Sequence, residues 1–226
     1  MSDYYRQKLS ATRLKQAYDM APPRTRQYLE AEVSHVLDKI GADDTVLDLG
    51  CGYGRILPSL AQKARRVIGI DISLDSLLLG QELLVDTANC FLFQMDALQL
   101  AFSDNSLDVV VCIQNGISAF HVDQHSLIEE SIRVVKPGGL ALFSSYSEKF
   151  WDERLDWFRR QSEAGLLGEI DLEKSRDGLI VCRDGFTATT VGPELFQALT
   201  ADIAADVIIA EVDESSLFCE ISPHHL

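Results

Sequence analysis

Three carboxylates come at or near the ends of apolar runs that are typical of buried β-strands. These are Asp48, Asp71 and Asp96. Asp71 lies 71 − 50 = 21 residues after Gly50, the spacing at which an acid meets ribose hydroxyls in a βαβ unit. In open parallel sheets, ligands bind at the carboxyl ends of the strands. The acids therefore predict a nucleotide-type pocket.

A fourth apolar run, residues 107–113, is followed by two amide side chains, Gln114 and Asn115. Strands that alternate with helical segments predict a parallel sheet covered by helices. If these runs are its strands, the acids and the amides lie at the same edge of that sheet.

Glycines at positions 50, 52 and 54 connect the first strand to the next helix. Glycine at such a turn allows a positive φ and a close approach of the backbone to a ligand. The pattern is G-x-G-x-G, with Arg55 where a dinucleotide fingerprint has glycine or alanine. The Gly-Lys-Ser/Thr ending of a phosphate-binding P-loop is also missing. The loop thus favours a nucleoside ligand without a pyrophosphate.

Five segments resemble the successive motifs of class I S-adenosylmethionine-dependent methyltransferases: residues 46–55, Asp71, residues 96–97, 106–111 and 136–139. The resemblance covers roughly residues 25–146. It implies an α/β, Rossmann-like fold, a doubly wound seven-stranded and mostly parallel sheet with an antiparallel C-terminal hairpin. We expect one methyltransferase domain, 1–226, with an N-terminal helical cap, 1–40. Residues 147–191 form an insertion after strand five and a candidate substrate cap.

The resemblance implies S-adenosylmethionine as cofactor, with S-adenosylhomocysteine as product and no metal. Asp48 would lie near the methionyl amino group. Gly50, Cys51 and Gly52 would form the wall along the methionyl and ribose parts, and Gln114 would lie beneath the methionyl group.

The other cofactor residues implied by the resemblance meet the adenosine. Asp71 would accept both ribose hydroxyls and Ile72 would pack on the adenine. Asp96 would meet the exocyclic amine and Ala97 a ring nitrogen. Capping or turn hydrogen bonds are the alternative for Asp48 and Asp96, whereas we expect few local backbone donors around Asp71.

The loop of residues 114–121 opens towards the expected acceptor and looks like that of small-molecule N- and O-methyltransferases. His121 is a candidate catalytic base, and Asn115 and Tyr18 are candidate substrate residues. Alternatively, His121 caps the following helix or bonds a backbone carbonyl, and Tyr18 anchors its own helix. His121 has an ordinary pKa near ~6.5, in the range useful for proton transfer.

Composition limits the partners. The net charge of −15 disfavours nucleic acid, since such a surface repels phosphate backbones. No apolar run approaches the ~20 residues of a membrane span. Five cysteines without a C-x-x-C pair suit a reducing cytoplasm and offer no metal site.

The sequence therefore predicts a cytoplasmic methyltransferase, monomer or homodimer, that acts on an N or O nucleophile of a small molecule by in-line displacement. Methylation of a protein or nucleic acid stays an alternative, as does a non-catalytic S-adenosylmethionine-binding module. A nicotinamide oxidoreductase is disfavoured by Arg55.

Overall fold

A computed structural model describes Tyr4 and residues 8–224 of the 226-residue chain. Tyr5, which the sequence offers beside Tyr18 as an aromatic residue of the N-terminal cap, therefore lies outside the described residues. In chain order the helices are α1 Ala11–Asp19, α2 Pro23–Lys39, α3 Leu57–Ala61, α4 Leu74–Leu83, α5 Gly116–Ala119, α6 Gln124–Val134, α7 Trp151–Glu163 and α8 Pro193–Thr200. The strands are β1 Thr45–Leu49, β2 Arg66–Asp71, β3 Cys90–Gln94, β4 Leu107–Cys112, β5 Val135–Tyr146, β6 Ile180–Val181, β7 Thr187–Ala188, β8 Ala205–Val212 and β9 Ser216–Pro223.

The main sheet has seven strands in the order β3-β2-β1-β4-β5-β9-β8. Strands β1 to β5 are parallel, whereas β9 runs antiparallel to both β5 and β8. The predicted fold class, with its antiparallel C-terminal hairpin, is confirmed. Because the parallel strands all point the same way, the residues after β1, β2, β3 and β4 meet at one edge.

The centre of the sheet is buried on both faces, as its apolar runs predict. All five residues of β1 are buried. Leu47 and Leu49 belong to the cluster beneath α6 and α8, and Val46 belongs to the cluster beneath α2 and α3. β1 is therefore a rigid base for the glycine loop that follows it.

Helix α4 has Ser73 as its N-cap. Ser73 Oγ accepts a hydrogen bond from Ser76 N at 3.3 Å. The cap of α6 is Asp123, which accepts from Ser126 N at 2.8 Å. Both caps satisfy backbone amides that have no partner inside the helix.

Residues 136–139, whose Lys-Pro-Gly-Gly sequence is typical of a turn, lie inside β5. Leu107 pairs with Val135 and Val109 pairs with Leu140, so β5 carries extra residues at this point. Gly139 is required there, since a Cβ would lie 2.5 Å from Asp108 O. This segment is therefore a bulge within a long strand.

Helix α1, helix α7 and the β6–β7 hairpin assemble over the edge of the sheet that carries the strand ends. We call these three elements the roof. Trp157 Nε1 of α7 donates to Ala17 O of α1 at 2.9 Å. Arg13 Nη2 donates to Gly165 O at 2.8 Å. The roof thus joins segments that lie about 140 residues apart in the chain.

Candidate active site

A cavity of about 260 Å³ lies between the roof and the carboxyl ends of β1 to β4. Its walls come from the glycine loop, the segments after β2 and β3, and the loop after β4. Tyr18 of α1 and Trp157 and Phe158 of α7 close it from the roof, and Phe186 of the hairpin also lines it. The cavity is thus at the place where open α/β sheets bind ligands.

Most of the residues predicted from the sequence line this cavity together. They are Tyr18, Asp48, Gly50, Cys51, Gly52, Asp71, Ile72, Asp96, Ala97 and Gln114. Asn115 and His121 are not among the lining residues in the part of the chain that the structure describes.

The glycine loop owes its composition to backbone conformation and to neighbours in the protein. Gly50 and Gly52 have φ values of +67° and +56°. A Cβ at Gly50 would lie 2.4 Å from the Phe120 ring, and one at Gly52 would lie 2.9 Å from the Leu14 side chain. Glycine is therefore needed in this loop because Phe120 and α1 approach it closely. This adds to the reason expected from the sequence, which is that a ligand must touch the loop.

Asp48 has the most strongly shifted pKa among the acids that line the cavity. It is 4% exposed, and this burial raises the pKa of its carboxyl from 3.8 to about 8, although the nearby Arg55 charge acts in the opposite direction. None of the described residues donates a hydrogen bond to that carboxylate. A cationic ligand group would supply the missing partner and would favour the ionised form.

Asp71 has more local donors than the sequence led us to expect. Its Oδ2 accepts from Gly52 N at 2.9 Å and its Oδ1 accepts from Ser73 N at 2.7 Å. Our expectation of few backbone donors was wrong, because the glycine loop folds back onto the end of β2. Each oxygen keeps a second lone pair for a ligand. Burial raises the pKa of Asp71, and the two amides oppose that rise.

The segment after β3 forms the outer wall of the cavity. Asp96 Oδ1 accepts from Leu98 N at 2.9 Å, which is the turn chemistry considered as its alternative role. Asp96 is exposed and lines the cavity with Ala97, and the half-exposed Ile72 lies on the neighbouring loop. These side chains are accessible to a planar ring.

Gln114 lies where β4 ends, in a left-handed conformation with φ +56°. Its amide N donates to Glu32 Oε2 at 2.7 Å and also lies 2.8 Å from Ser144 Oγ. Tyr18 Oη donates to its side-chain Oε1 at 3.1 Å. The backbone and the side chain of Gln114 are thus held by different elements.

Glu32 is a site residue that sequence reasoning missed. It is fully buried on α2, accepts a short hydrogen bond from Ser216 Oγ, and holds Gln114 N as described above. Burial raises the pKa of its carboxyl from 4.5 to about 7, and the hydrogen bonds oppose the rise. In the sequence, Glu32 is a charged residue on an otherwise apolar face of α2. That charge was the one available signal of its role.

Arg55 brings a positive charge to the cavity and lies against the ring of Tyr18. Its guanidinium carbon lies 4.6 Å from the centre of the Tyr18 ring. Nε and Nη2 are shielded from solvent and have no hydrogen-bond partner among the described residues. The sequence used Arg55 only to exclude a dinucleotide, so this role was missed.

The structure gives Asn115 bonds within the protein. Its Nδ2 donates to Thr189 O at 2.9 Å, and its Oδ1 accepts from Ser145 Oγ at 2.8 Å. It therefore ties the end of the insertion to β5, a long-range contact that spacing could not show. Its substrate role receives no support from this arrangement.

His121 is half-buried in the loop after α5, with a φ of +52°. Desolvation lowers the pKa of its imidazole below the ordinary 6.5, so it is neutral at pH 7. Asp123, two residues later, caps α6. The predicted base is thus in a suitable protonation state but does not line the cavity.

The cavity fits an adenosyl-sulfonium ligand on three counts. Asp71 and Asp96 both line the cavity, and among the described residues Asp48 has no hydrogen-bond donor while Arg55 and Gln114 each present donors without acceptors. The amino acid tail of such a ligand carries both an ammonium, which can donate to Asp48, and a carboxylate, which can accept from Arg55 and Gln114.

A family model described as a methyltransferase domain matches residues 46–139. The fold is shared with a solved S-adenosylmethionine-dependent methyltransferase of Methanosarcina mazei, at 20% identity and a TM-score of 0.63 over 84% of this chain and 97% of that one. Residues 46–139 thus match a methyltransferase domain, in a chain with the class I, Rossmann-like methyltransferase fold. A protein of Pyrococcus horikoshii OT3 has the same fold, with a TM-score of 0.67, 21% identity and 99% of both chains covered.

Curated relatives of the chain differ in the acceptors that their names state. A 2-methyl-6-phytyl-1,4-hydroquinone methyltransferase of Synechocystis is 29% identical over 58% of this chain and 46% of its own length. A malonyl-(acyl-carrier protein) O-methyltransferase of Yersinia pestis is 30% identical over 63% and 51%. A tRNA N(3)-methylcytidine methyltransferase of Drosophila melanogaster is 29% identical over 64% and 47%. The chain spans about half the length of these relatives.

Two further findings concern the described part of the methyltransferase. Among these residues no group of three or more His, Cys, Asp or Glu side chains is arranged to hold a metal ion. Likewise, none of the described helices combines the length and the apolar character needed to cross a bilayer.

Proposed function

We propose that the protein transfers a methyl group from S-adenosylmethionine to an N or O nucleophile of a small molecule. The observation that carries this proposal is the convergence of Asp48, Asp71 and Asp96 on one roofed cavity at the strand ends. The cofactor supplies a methyl group already activated on sulfur. The tasks left to the protein are alignment and exclusion of water.

Each side of the cavity has a task in this proposal. Asp48 pairs with the methionyl ammonium, and Asp71 accepts from the ribose hydroxyls while the glycine-loop amide at Gly52 keeps it in place. Asp96 and Ala97 meet the adenine edge, with Ile72 against the ring. Gln114, held by Glu32 and Tyr18, forms the floor beneath the methionyl group.

The presence of the roof over the cavity favours a small-molecule acceptor. Tyr18, Trp157, Phe158 and Phe186 cover the cavity, so an acceptor must fit beneath them. We propose that the N-terminal helices and the 147–191 insertion act as the substrate cap. A negative charge of −15 adds to the case against nucleic acid. A cytoplasmic location and a monomer or homodimer stay predictions.

The tRNA-acting relative keeps nucleic acid methylation as the second candidate. A release assay for homocysteine, run over a panel of amines, phenols and carboxylic acids and with total tRNA, separates the two. Turnover with a compound from the panel supports the proposal. Turnover with tRNA alone contradicts the small-molecule acceptor, and cofactor binding without turnover on any substrate favours a binding module.

Cofactor choice is tested by calorimetry. We expect S-adenosylmethionine and S-adenosylhomocysteine to bind and NADH to give no heat. NADH binding in the absence of any heat from the two sulfur compounds would overturn the proposed function.

Substitution Asp71→Ala tests the ribose site. It removes the acceptor for the hydroxyls and leaves Gly52 N without its partner, so cofactor binding should weaken by ~1–3 kcal/mol. Asp75→Ala on the first turn of α4 is a matched control outside the cavity lining and should leave the affinity unchanged. An equal affinity for Asp71→Ala and the unmodified protein would mean that the ribose lies elsewhere.

A further inference from the structure

Helix α7 contributes three residues to the lining of the cavity: Trp157, Phe158 and Gln161. They lie within four positions of one another, so they share one face of the helix. The side chain of Phe158 has no polar atom, and the indole nitrogen of Trp157 already donates to Ala17 O at 2.9 Å. Gln161 is therefore the residue of this face whose side chain can still bond a ligand.

The amide of Gln161 is buried and unpaired. The residue is 3% exposed, and its side chain makes no hydrogen bond with Tyr4 or with residues 8–224. Its position is fixed through the backbone, because its carbonyl accepts from Leu166 N at 2.9 Å just beyond the end of α7. Buried polar groups are hydrogen-bonded in nearly all folded proteins, so this amide indicates that a ligand supplies its partner.

A series of aromatic rings runs along the roof beside Gln161. The centre of the Phe158 ring lies 6.0 Å from that of Trp157 and 5.9 Å from that of Phe186. The Tyr18 ring continues the series, with its centre 5.9 Å from that of Trp157. All four rings line the cavity, and aromatic walls of this kind favour a flat, apolar ring as their ligand.

The charge near these rings limits the charge of the ligand. The guanidinium carbon of the buried Arg154 lies 4.4 Å from the centre of the Tyr146 ring and 5.5 Å from that of Phe158. A ligand ammonium would be repelled by this positive charge. A ligand carboxylate would exchange its water for the neutral amide of Gln161, which does not offset the cost of burying a charge. An uncharged ligand avoids both costs.

We infer that this face of α7 binds the methyl acceptor, and that the acceptor is an uncharged aromatic molecule whose hydroxyl or carbonyl group bonds to Gln161. An amide both donates and accepts, so it can bond either group. The inference rests on the proposed function and adds to it the chemical class of the acceptor.

Four small probes test the class of ligand. They are p-cresol, p-xylene, 4-methylbenzoate and 4-methylbenzylamine, each titrated by NMR into the protein saturated with S-adenosylhomocysteine. In p-xylene a methyl group replaces the hydroxyl of p-cresol, whereas the last two probes carry a negative and a positive charge. We expect p-cresol to bind more tightly than the other three. Tighter binding of either charged probe would overturn the inference.

Substitution Gln161→Leu tests the amide. It keeps the approximate size of the side chain and removes its polar atoms, so p-cresol should bind about 2- to 10-fold more weakly, the effect of one neutral hydrogen bond. The affinity for p-xylene should stay unchanged or rise. Gln197→Leu makes the same change at an exposed position of α8 outside the cavity lining, and should alter neither affinity.

Thermal unfolding separates a ligand role of Gln161 from a structural one. Since Gln161→Leu removes a buried amide without a partner, the ligand-free variant should melt at the same or a higher temperature than the unmodified protein. Its affinity for S-adenosylhomocysteine should stay within twofold. A lower melting temperature together with an equal loss of p-cresol and p-xylene binding would overturn the inference.

Failure of the proposed function has a different signature. In that case the unmodified protein binds neither S-adenosylmethionine nor S-adenosylhomocysteine, and p-cresol is titrated into the ligand-free protein instead. Binding that depends on Gln161 would then support the site for an uncharged aromatic ligand. If S-adenosylhomocysteine binds but p-cresol does not, or binds the unmodified protein and Gln161→Leu equally, the inference is overturned and the proposed function stays in place.

Discussion

At the scale of single residues, the ionised form of Asp48 favours ligand binding but lowers the stability of the folded protein. Its carboxyl is ionised in an unfolded chain at pH 7, yet burial raises its pKa to about 8 in the folded protein. The group therefore takes up a proton on folding. Its contribution to the free energy of unfolding falls as the pH rises from about 4 to 8.

Asp48→Asn should remove that pH dependence. We expect the variant to gain about 1–3 kcal/mol relative to the unmodified protein at pH 8, and much less at pH 4, because an amide has no charge to desolvate. Denaturant unfolding at the two pH values measures the difference. The same variant should bind S-adenosylmethionine more weakly, as it cannot pair with an ammonium.

Asp108→Asn is the control for that experiment, because the stability contribution of Asp108 should change with pH in the direction opposite to that of Asp48. Despite partial burial, the hydrogen bonds from Lys136 and Thr45 N lower the pKa of Asp108. The contribution of Asp108 to the free energy of unfolding is thus present at pH 8. It is lost as the pH falls below about 4, the ordinary pKa of an aspartate. A stability difference for Asp48→Asn that is equal at pH 4 and 8 would contradict a neutral, buried Asp48.

Some site residues could be predicted from the sequence and others could not. Asp48, Asp71 and Asp96 follow apolar strands, so their meeting at one edge is a consequence of a parallel sheet. Glu32 holds Gln114 across 82 residues, a contact that no local pattern encodes.

At the scale of elements, the cavity depends on the roof. Trp157 of α7 donates to Ala17 O, and its ring lies 5.9 Å from that of Tyr18. Helix α1 also lies against the glycine loop, since a Cβ added at Gly52 would be 2.9 Å from the Leu14 side chain and the Tyr18 and Tyr53 rings are 6.4 Å apart. Helix α1 is therefore part of both the roof and the wall of the cavity.

Trp157→Phe should loosen the roof. The substitution removes the bond to Ala17 O and leaves that carbonyl buried, so we expect S-adenosylhomocysteine to dissociate about 2- to 10-fold faster, the effect of one neutral hydrogen bond. Stopped-flow displacement measures the rate. Trp151→Phe on the same helix is outside the cavity lining and should leave it unchanged. A slower release in Trp157→Phe would contradict a gating roof.

The elements of the sheet were predictable and their connections less so. Apolar runs of β-branched residues locate β1, β2 and β4, because strands buried on both faces need them. The bulge at 136–139 depends on unequal pairing with β4, and the assembly of the roof depends on contacts between distant segments. Neither property is carried by a local stretch of sequence.

At the scale of the whole molecule, the net charge of −15 bears on the acceptor. We expect no binding of total tRNA in a mobility-shift assay at 150 mM salt, since few phosphates could be neutralised. Bovine serum albumin, another acidic protein, serves as the negative reference. A complex whose affinity falls steeply with added salt would contradict this expectation and support the tRNA-type acceptor.

The chain has two tryptophans, and one of them is Trp157 in the roof. Its indole is buried, hydrogen-bonded to α1 and close to a tyrosine ring. Lifting the roof would hydrate the indole and shift its fluorescence to longer wavelength. In the Trp151→Phe background, Trp157 becomes a single native emitter, so a change in the exposure of the roof would be visible in real time without a label.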